Sequence, residues 1–141
     1  MPGTRLLVTS LVSQVGRGIR TTLDQRFGDL GLTSQQAGVL LHISGGTTSP
    51  RQLAGLVGTD TAGMTRLLDR LANKKYIRRR PGAGDRRAIT VELTAAGRKL
   101  LPRLMPIFDG VADAITADIS PTELTVVLRA LESMQTKLDT P

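Results

Sequence analysis

Periodicity along this 141-residue chain is helical almost from end to end and turns to strict alternation in one place, between Ile77 and Leu93. Helices burying one face each, with a single two-stranded ribbon among them, are what such a pattern can fold into. Leu7, Leu11, Val15, Ile19, Leu23 and Phe27 recur every four residues with Val8 and Val12 beside them. They predict an amphipathic helix over about residues 4–28, weakened by Gly16 and Gly18. Thr33, at capping-box spacing from Gln36, predicts a second helix that carries Val39, Leu40 and Ile43 and stops near Gly45 and Gly46. Ser49-Pro50 is an N-cap and first-turn pair that opens a short helix through Leu53, Ala54, Leu56 and Val57. Gly58-Thr59-Asp60 then makes a turn. From Thr61 to about Lys74 the apolar residues Met64, Leu67, Leu68 and Leu71 fall at i, i+3, i+4 and i+7, leaving Thr61, Ala62, Thr65, Arg66, Asp69 and Arg70 outward. Two short helices joined by a tight glycine turn predict a helix-turn-helix.

Beyond it, Ile89, Val91 and Leu93 alternate with Ala88, Thr90 and Glu92, and Pro81-Gly82-Ala83-Gly84-Asp85 is expected to break the chain between two strands. A helix-turn-helix followed by such a hairpin is a winged helix. Thr94 caps the next helix, whose apolar residues run from Leu100 to Ile115 and whose interior Pro102 and Pro106 are expected to bend it. Ser120-Pro121-Thr122-Glu123 opens the last helix with a capping box and proline in the first turn, and the pattern predicts that it buries Leu124, Val127, Leu128, Leu131, Met134 and Leu138.

Charge is as localised as the alternation. Between Arg51 and Arg87 stand ten Arg or Lys against three acids, while the remaining residues balance nine against nine. A block this dense is a footprint for a polyanion, most simply nucleic-acid phosphate. With no cysteine, disulfide scaffolds, thiolate zinc sites and thiol nucleophiles are excluded, and a reducing compartment fits. The apolar group Leu6-Leu7-Val8 is too brief for a signal segment or membrane span, so a cytoplasmic protein with no membrane partner is expected. Aromatic residues are 2% of the chain, which argues against a single-strand surface of stacked rings.

Leu53-Ala54, the run from Thr61 to Leu71, Lys75-Tyr76-Ile77, Asp85-Arg86-Arg87 and Leu93-Thr94-Ala95-Ala96-Gly97-Arg98 together resemble the MarR family of bacterial transcription regulators. The most specific part is the spacing from Thr65-Arg66 through Asp85-Arg86-Arg87 to Leu93-Thr94 and Gly97. The resemblance implies a homodimer joined by the N- and C-terminal helices, with Leu11, Val15, Leu124, Leu128 and Leu131 in the joint. It implies recognition helices in adjacent major grooves of a pseudo-palindromic operator, wings at the minor groove, and often a small-molecule effector, whose site here is unknown. Thr61, Ala62, Thr65 and Arg66 become the residues nearest the bases or flanking phosphates, and Arg51, Arg70, Lys74, Arg79, Arg86 and Arg87 further DNA contacts. Arg66 reaches the paired acceptors of guanine or, on the blander reading, pairs only with Asp69, as Arg70 could. In the wing the family shows an acid, any residue, an arginine and a second acid. Here Gly82, Ala83 and Gly84 occupy the first positions, so the tip arginine is missing. Arg86 is its candidate substitute, and Asp85 with Arg87 either joins in DNA contact or braces the hairpin by an ion pair.

Other chemistry is thinly represented. Gly82-Ala83-Gly84 joins strand to strand with no helix following, unlike a phosphate-cradling loop. His42, the one histidine, has apolar neighbours and reads as packed rather than catalytic. Asp109 and Asp113, with Asp118 further along, read as a solvated face rather than a metal site. No cofactor, metal or enzymatic constellation is expected. The expected fold is mainly α with a small β-hairpin wing in one domain over 1–141: a winged helix at about 33–93 and dimerisation helices at about 4–28 and 95–139. The expected function is a homodimeric repressor that binds specific double-stranded DNA and is released by an effector. A ligand-independent winged-helix or architectural DNA-binding protein is the alternative.

Overall fold

Five helices of this chain begin on a side chain that accepts a free N–H of the first turn, each cap stabilising its helix by about 1 kcal/mol. The computed structural model describes residues 1–82 and 85–139, without the side chains of residues 85–87. Its helices are α1 (Thr4–Phe27), α2 (Ser34–Ser44), α3 (Pro50–Val57), α4 (Thr61–Asn73), α5 (Ala95–Ile115) and α6 (Pro121–Asp139), and its strands are β1 (Ile77–Gly82) and β2 (Asp85–Leu93). Thr33 and Gln36 close the expected capping box, with Gln36 N–H donating to Thr33 Oγ1 at 3.2 Å and Thr33 N–H to Gln36 Oε1 at 3.0 Å. Ser49 caps α3, with Pro50 in its first turn. Asp60, read from the sequence only as part of a turn, caps α4 by accepting the Gly63 N–H at 2.7 Å. Thr94 Oγ1 accepts the Gly97 N–H at 3.1 Å. At α6 the Ser120 N–H donates to Glu123 Oε1, and this bond first, the Ser120 side chain second, holds the Glu123 carboxyl below its ordinary value.

The turn between α3 and α4 depends on Gly58, whose φ of 72° lies in the left-handed region that other residues enter at a cost of about 1–2 kcal/mol. From there α4 packs the face predicted for it. Met64, Leu67, Leu68 and Leu71 are buried with Leu23 and Phe27 of α1, Val39 and Leu40 of α2, Leu53 of α3 and Leu104 of α5. The Phe27 and Phe108 rings meet with centroids 4.9 Å apart. All these residues belong to one compact unit, Met1–Phe108; a second unit starts at Asp109.

The strands form an antiparallel pair in which Ile77 faces Leu93, Arg79 faces Val91 and Pro81 faces Ile89. Ile77, Val91 and Leu93 are buried, whereas Ile89 near the tip is 50% exposed. Pro81 and Gly82 were expected to interrupt the chain, yet both belong to β1, with an irregularity in register between them. In a two-stranded ribbon both strands are edges, so a residue without an N–H is tolerated. The Gly82-Ala83-Gly84 tip reaches residues outside the described ones. α5 runs through Pro102 and Pro106 as one helix.

The expectation that α6 buries its apolar stripe is corrected: α6 has no buried residue, and Leu124, Val127, Leu128, Leu131 and Leu138 are all exposed, Leu128 at 57%. Leu7, Leu11 and Val15 of α1 are exposed as well, and of that helix only Leu23 and Phe27 are buried. Amphipathic spacing determines which residues share a face; it does not say that cover comes from the same chain.

Gly97 locks α5 to the end of α4. Thr94 N–H donates to Tyr76 O and Thr94 Oγ1 to Lys75 O, and a Cβ at position 97 would lie 2.2 Å from Tyr76 O. Gly97→Ala should therefore destabilise the protein by about 1–3 kcal/mol. Gly55→Ala, in an exposed part of α3 where an added Cβ meets nothing within 4 Å, should instead stabilise it by about 0.5–1 kcal/mol. Urea-denaturation midpoints of the two variants check both signs.

Candidate nucleic-acid interface

With its apolar face inward, α4 must turn the opposite face to solvent, and Thr61, Ala62, Thr65, Arg66, Asp69 and Arg70 are all exposed. Thr65 Oγ1 donates to Thr61 O at 3.0 Å. Arg51, in the first turn of α3, lies with Thr61 and Thr65 along a groove of about 610 Å³ whose other wall is Ala88 and Ile89 of β2. Helix, helix start and strand thus border one groove. Arg66 and Arg70 lie on the opposite flank of α4, along a smaller polar cleft.

The bases of the sequence block divide by partner. Asp69, expected to pair with Arg66 or Arg70 if with anything, instead pairs with Arg79. The pleat explains why. Arg79 is in phase with Ile77, so it projects from the face of β1 that meets α4, with 35% of its side chain exposed. On the other face Glu92 accepts from Arg80 and lies 3.2 Å from Arg78 Nε. Lys74 Nζ donates to Gly31 O at 2.6 Å. Arg51, Arg66, Arg70 and Lys75 have no ion pair among the described residues. The side chains of Asp85, Arg86 and Arg87 lie outside the described residues, so neither the bracing pair nor the Arg86 contact is described.

A second cavity of about 540 Å³ lies within the first unit between α1, α2 and α5. Ile19, Leu23, Leu41, Leu56, Met105 and Phe108 give it apolar walls, with His42, half-buried, at the same cavity. Among the described residues no cluster of His, Asp or Glu could hold a metal ion, and no helix is long and apolar enough to cross a membrane.

Residues 30–88, which carry this helix-turn-helix and most of the hairpin, match the model of the MarR family. The HTH-type transcriptional regulator PecS of Dickeya dadantii is 31% identical over 104 residues, 71% of this chain and 63% of its own length. The winged helix of this chain is thus similar to that of the MarR family. Solved structures of the same fold include a mutant MarR of E. coli complexed with operator DNA (TM-score 0.81, 23% identity, covering 90% of this chain and 92% of that one). BldR of Sulfolobus solfataricus matches with a TM-score of 0.85 at 22% identity, over 94% of this chain and 95% of its own. At those identities the likeness shows the fold, mainly α with a two-stranded wing. The chain spans about three fifths of the length of the curated relatives it matches. Those relatives are named for regulation and antibiotic resistance, not for catalysis.

On the sequence Arg79 is an expected DNA contact; its pairing with Asp69 and the pleat that brings it to α4 were not legible from spacing alone. Both partners are partly exposed, so their coupling should be at most about 1 kcal/mol. An Asp69→Ala/Arg79→Ala double-mutant cycle, read by urea denaturation, should show that coupling at low salt and lose most of it at 1 M salt. Zero coupling at low salt would mean that the pair does not hold the hairpin to α4.

Proposed function

We propose that this chain is a transcription regulator that binds specific double-stranded DNA, acting as a homodimeric repressor on a pseudo-palindromic operator. The observation that carries the reading is the exposed face of α4, with Thr61, Ala62, Thr65 and Arg66 outward and Arg51 beside it. In this reading α4 enters the major groove and Arg66 contacts guanine. Arg51 and Arg70 take backbone phosphates, and Arg86 and Arg87 act from the hairpin, with Asp85 bracing Arg87. Arg79 and Lys74, already held by Asp69 and Gly31, contribute field more than direct contact. The E. coli MarR structure in complex with operator DNA supports the docking mode.

Dimerisation is supported by the uncovered stripes of Leu11 and Val15 on α1 and of Leu124, Leu128 and Leu131 on α6. Large exposed apolar stripes of this kind mark association surfaces. Release by an effector is supported by the 540 Å³ apolar cavity, a volume suited to a small molecule. A ligand there would shift the population of dimers whose α4 helices match the operator spacing.

Selection of genomic fragments by the purified protein, followed by titration of the selected duplex against random duplex at matched salt, tests the reading. Selective binding supports a regulator; equal binding supports the ligand-independent architectural alternative. On the selected duplex Arg66→Ala should cost about 1–3 kcal/mol per half-site, with a much smaller loss on random DNA. Leu128→Arg places an unpaired charge in the proposed joint and should yield a folded monomer by sedimentation that no longer binds the operator. A wild-type chain that sediments as a monomer at micromolar concentration would contradict the dimer.

A further inference from the structure

A cavity of about 340 Å³ lies within the first unit, where the end of α2, the loop before α3, β2 and the first turns of α5 meet. Ile43, Val91 and Leu93, all buried, and the half-buried Leu101 give it aliphatic walls. No aromatic side chain is among its described lining residues. Glu92, the acid there, accepts from Arg80 and lies 3.2 Å from Arg78 Nε, so two guanidinium groups already offset its charge. Arg98 of α5 also lines the cavity, is exposed, and is in no ion pair among the described residues. Thr48, half-buried at the same cavity, accepts the Val91 N–H on its carbonyl at 3.1 Å, while its hydroxyl is in no hydrogen bond among the described residues.

Apolar walls with a few polar groups are the composition of a small-molecule site, and the volume falls at the lower end of the about 300–1,000 Å³ that such sites occupy. A cation would meet one carboxylate that is already paired. A phosphate ester or polycarboxylate would meet a single free guanidinium and bury its remaining charge against Ile43 and Val91, which is costly. One guanidinium fork instead matches the paired oxygens of one carboxylate, and a threonine hydroxyl adds one donor. Aliphatic walls without a ring favour a hydrocarbon body, which gains up to about fourfold in affinity for each methylene buried. We propose that this cavity binds an aliphatic monocarboxylate of short to medium chain, its carboxylate on Arg98 and its hydrocarbon on Ile43, Val91, Leu93 and Leu101. The site shares no lining residue with the apolar cavity between α1, α2 and α5 or with the groove beside α4, and binding there does not rest on the proposed function.

Titration of the full chain without DNA, at constant ionic strength, with butanoate, hexanoate and octanoate, followed by methyl NMR, tests the site. The expected result is saturable shifts of the Ile43, Val91, Leu93 and Leu101 methyl signals, with affinity rising about two- to fourfold per added methylene. Arg98→Ala should weaken octanoate binding roughly tenfold and leave octan-1-ol binding unchanged, whereas Arg103→Ala, on the same helix but outside the cavity, should leave both unchanged. Ser44→Phe, which puts a ring at an exposed position lining the cavity, should weaken octanoate roughly tenfold or more, and Leu56→Ala, at the apolar cavity, should not. Circular dichroism establishes that each variant is folded. No saturable shift of those four side chains with any of the three acids would overturn the proposal. So would shifts confined to Leu41 and Leu56, which would seat the acids in the apolar cavity. Equal losses in Arg98→Ala and Arg103→Ala would overturn the carboxylate contact and leave only attraction by net charge. Tighter binding of benzoate than of hexanoate at the same methyl groups would overturn the aliphatic class.

Discussion

Four apolar side chains on one face of α4 organise the rest of this molecule. Burying Met64, Leu67, Leu68 and Leu71 gains on the order of 1.5–3 kcal/mol each, more than any surface contact of the helix can oppose. Once that face is inward, helical geometry alone presents Thr61, Ala62, Thr65 and Arg66 to solvent. The Asp60 cap and left-handed Gly58 set where the helix starts, and Gly97, against Tyr76 O, sets how closely α5 follows the end of α4. The face proposed to meet DNA is in this sense a by-product of the core.

Charge is allocated by the same geometry. Alternation along β1 sends Arg79 toward α4 and Arg78 and Arg80 to the opposite face, so the three adjacent arginines have different partners. Asp69 and Glu92 each remove some of the field from the hairpin. Of the described bases of the basic block, Arg51, Arg66 and Arg70 on α3 and α4 and Lys75 just beyond are in no ion pair.

Local chemistry made most of the fold legible before any coordinates. Thr33 with Gln36, Ser49 with Pro50 and Ser120 with Glu123 are short-range devices, and each starts a helix as its spacing predicts. The α4 exposure pattern followed from a period of 3.6 residues. What the chain did not disclose is set by tertiary or intermolecular neighbours. Arg20, 46 residues before Arg66, reaches the same cleft only because α1 and α4 pack in one unit. Asp69 chose Arg79 over its helical neighbours because the β1 pleat brings that guanidinium to α4. The Leu124–Leu131 stripe looked buried by its spacing, but Leu124, Val127, Leu128 and Leu131 are exposed. Pro81 looked like a break because the two-stranded limit, which makes both strands edges, is not a local property.

Amide hydrogen exchange of the protein, free and bound to its selected duplex, tests the central claim most directly. Protection should increase at the start of α3, along the outward face of α4 and in the β1–β2 hairpin. Protection confined to α5 or α6, or none on addition of saturating duplex, would contradict it.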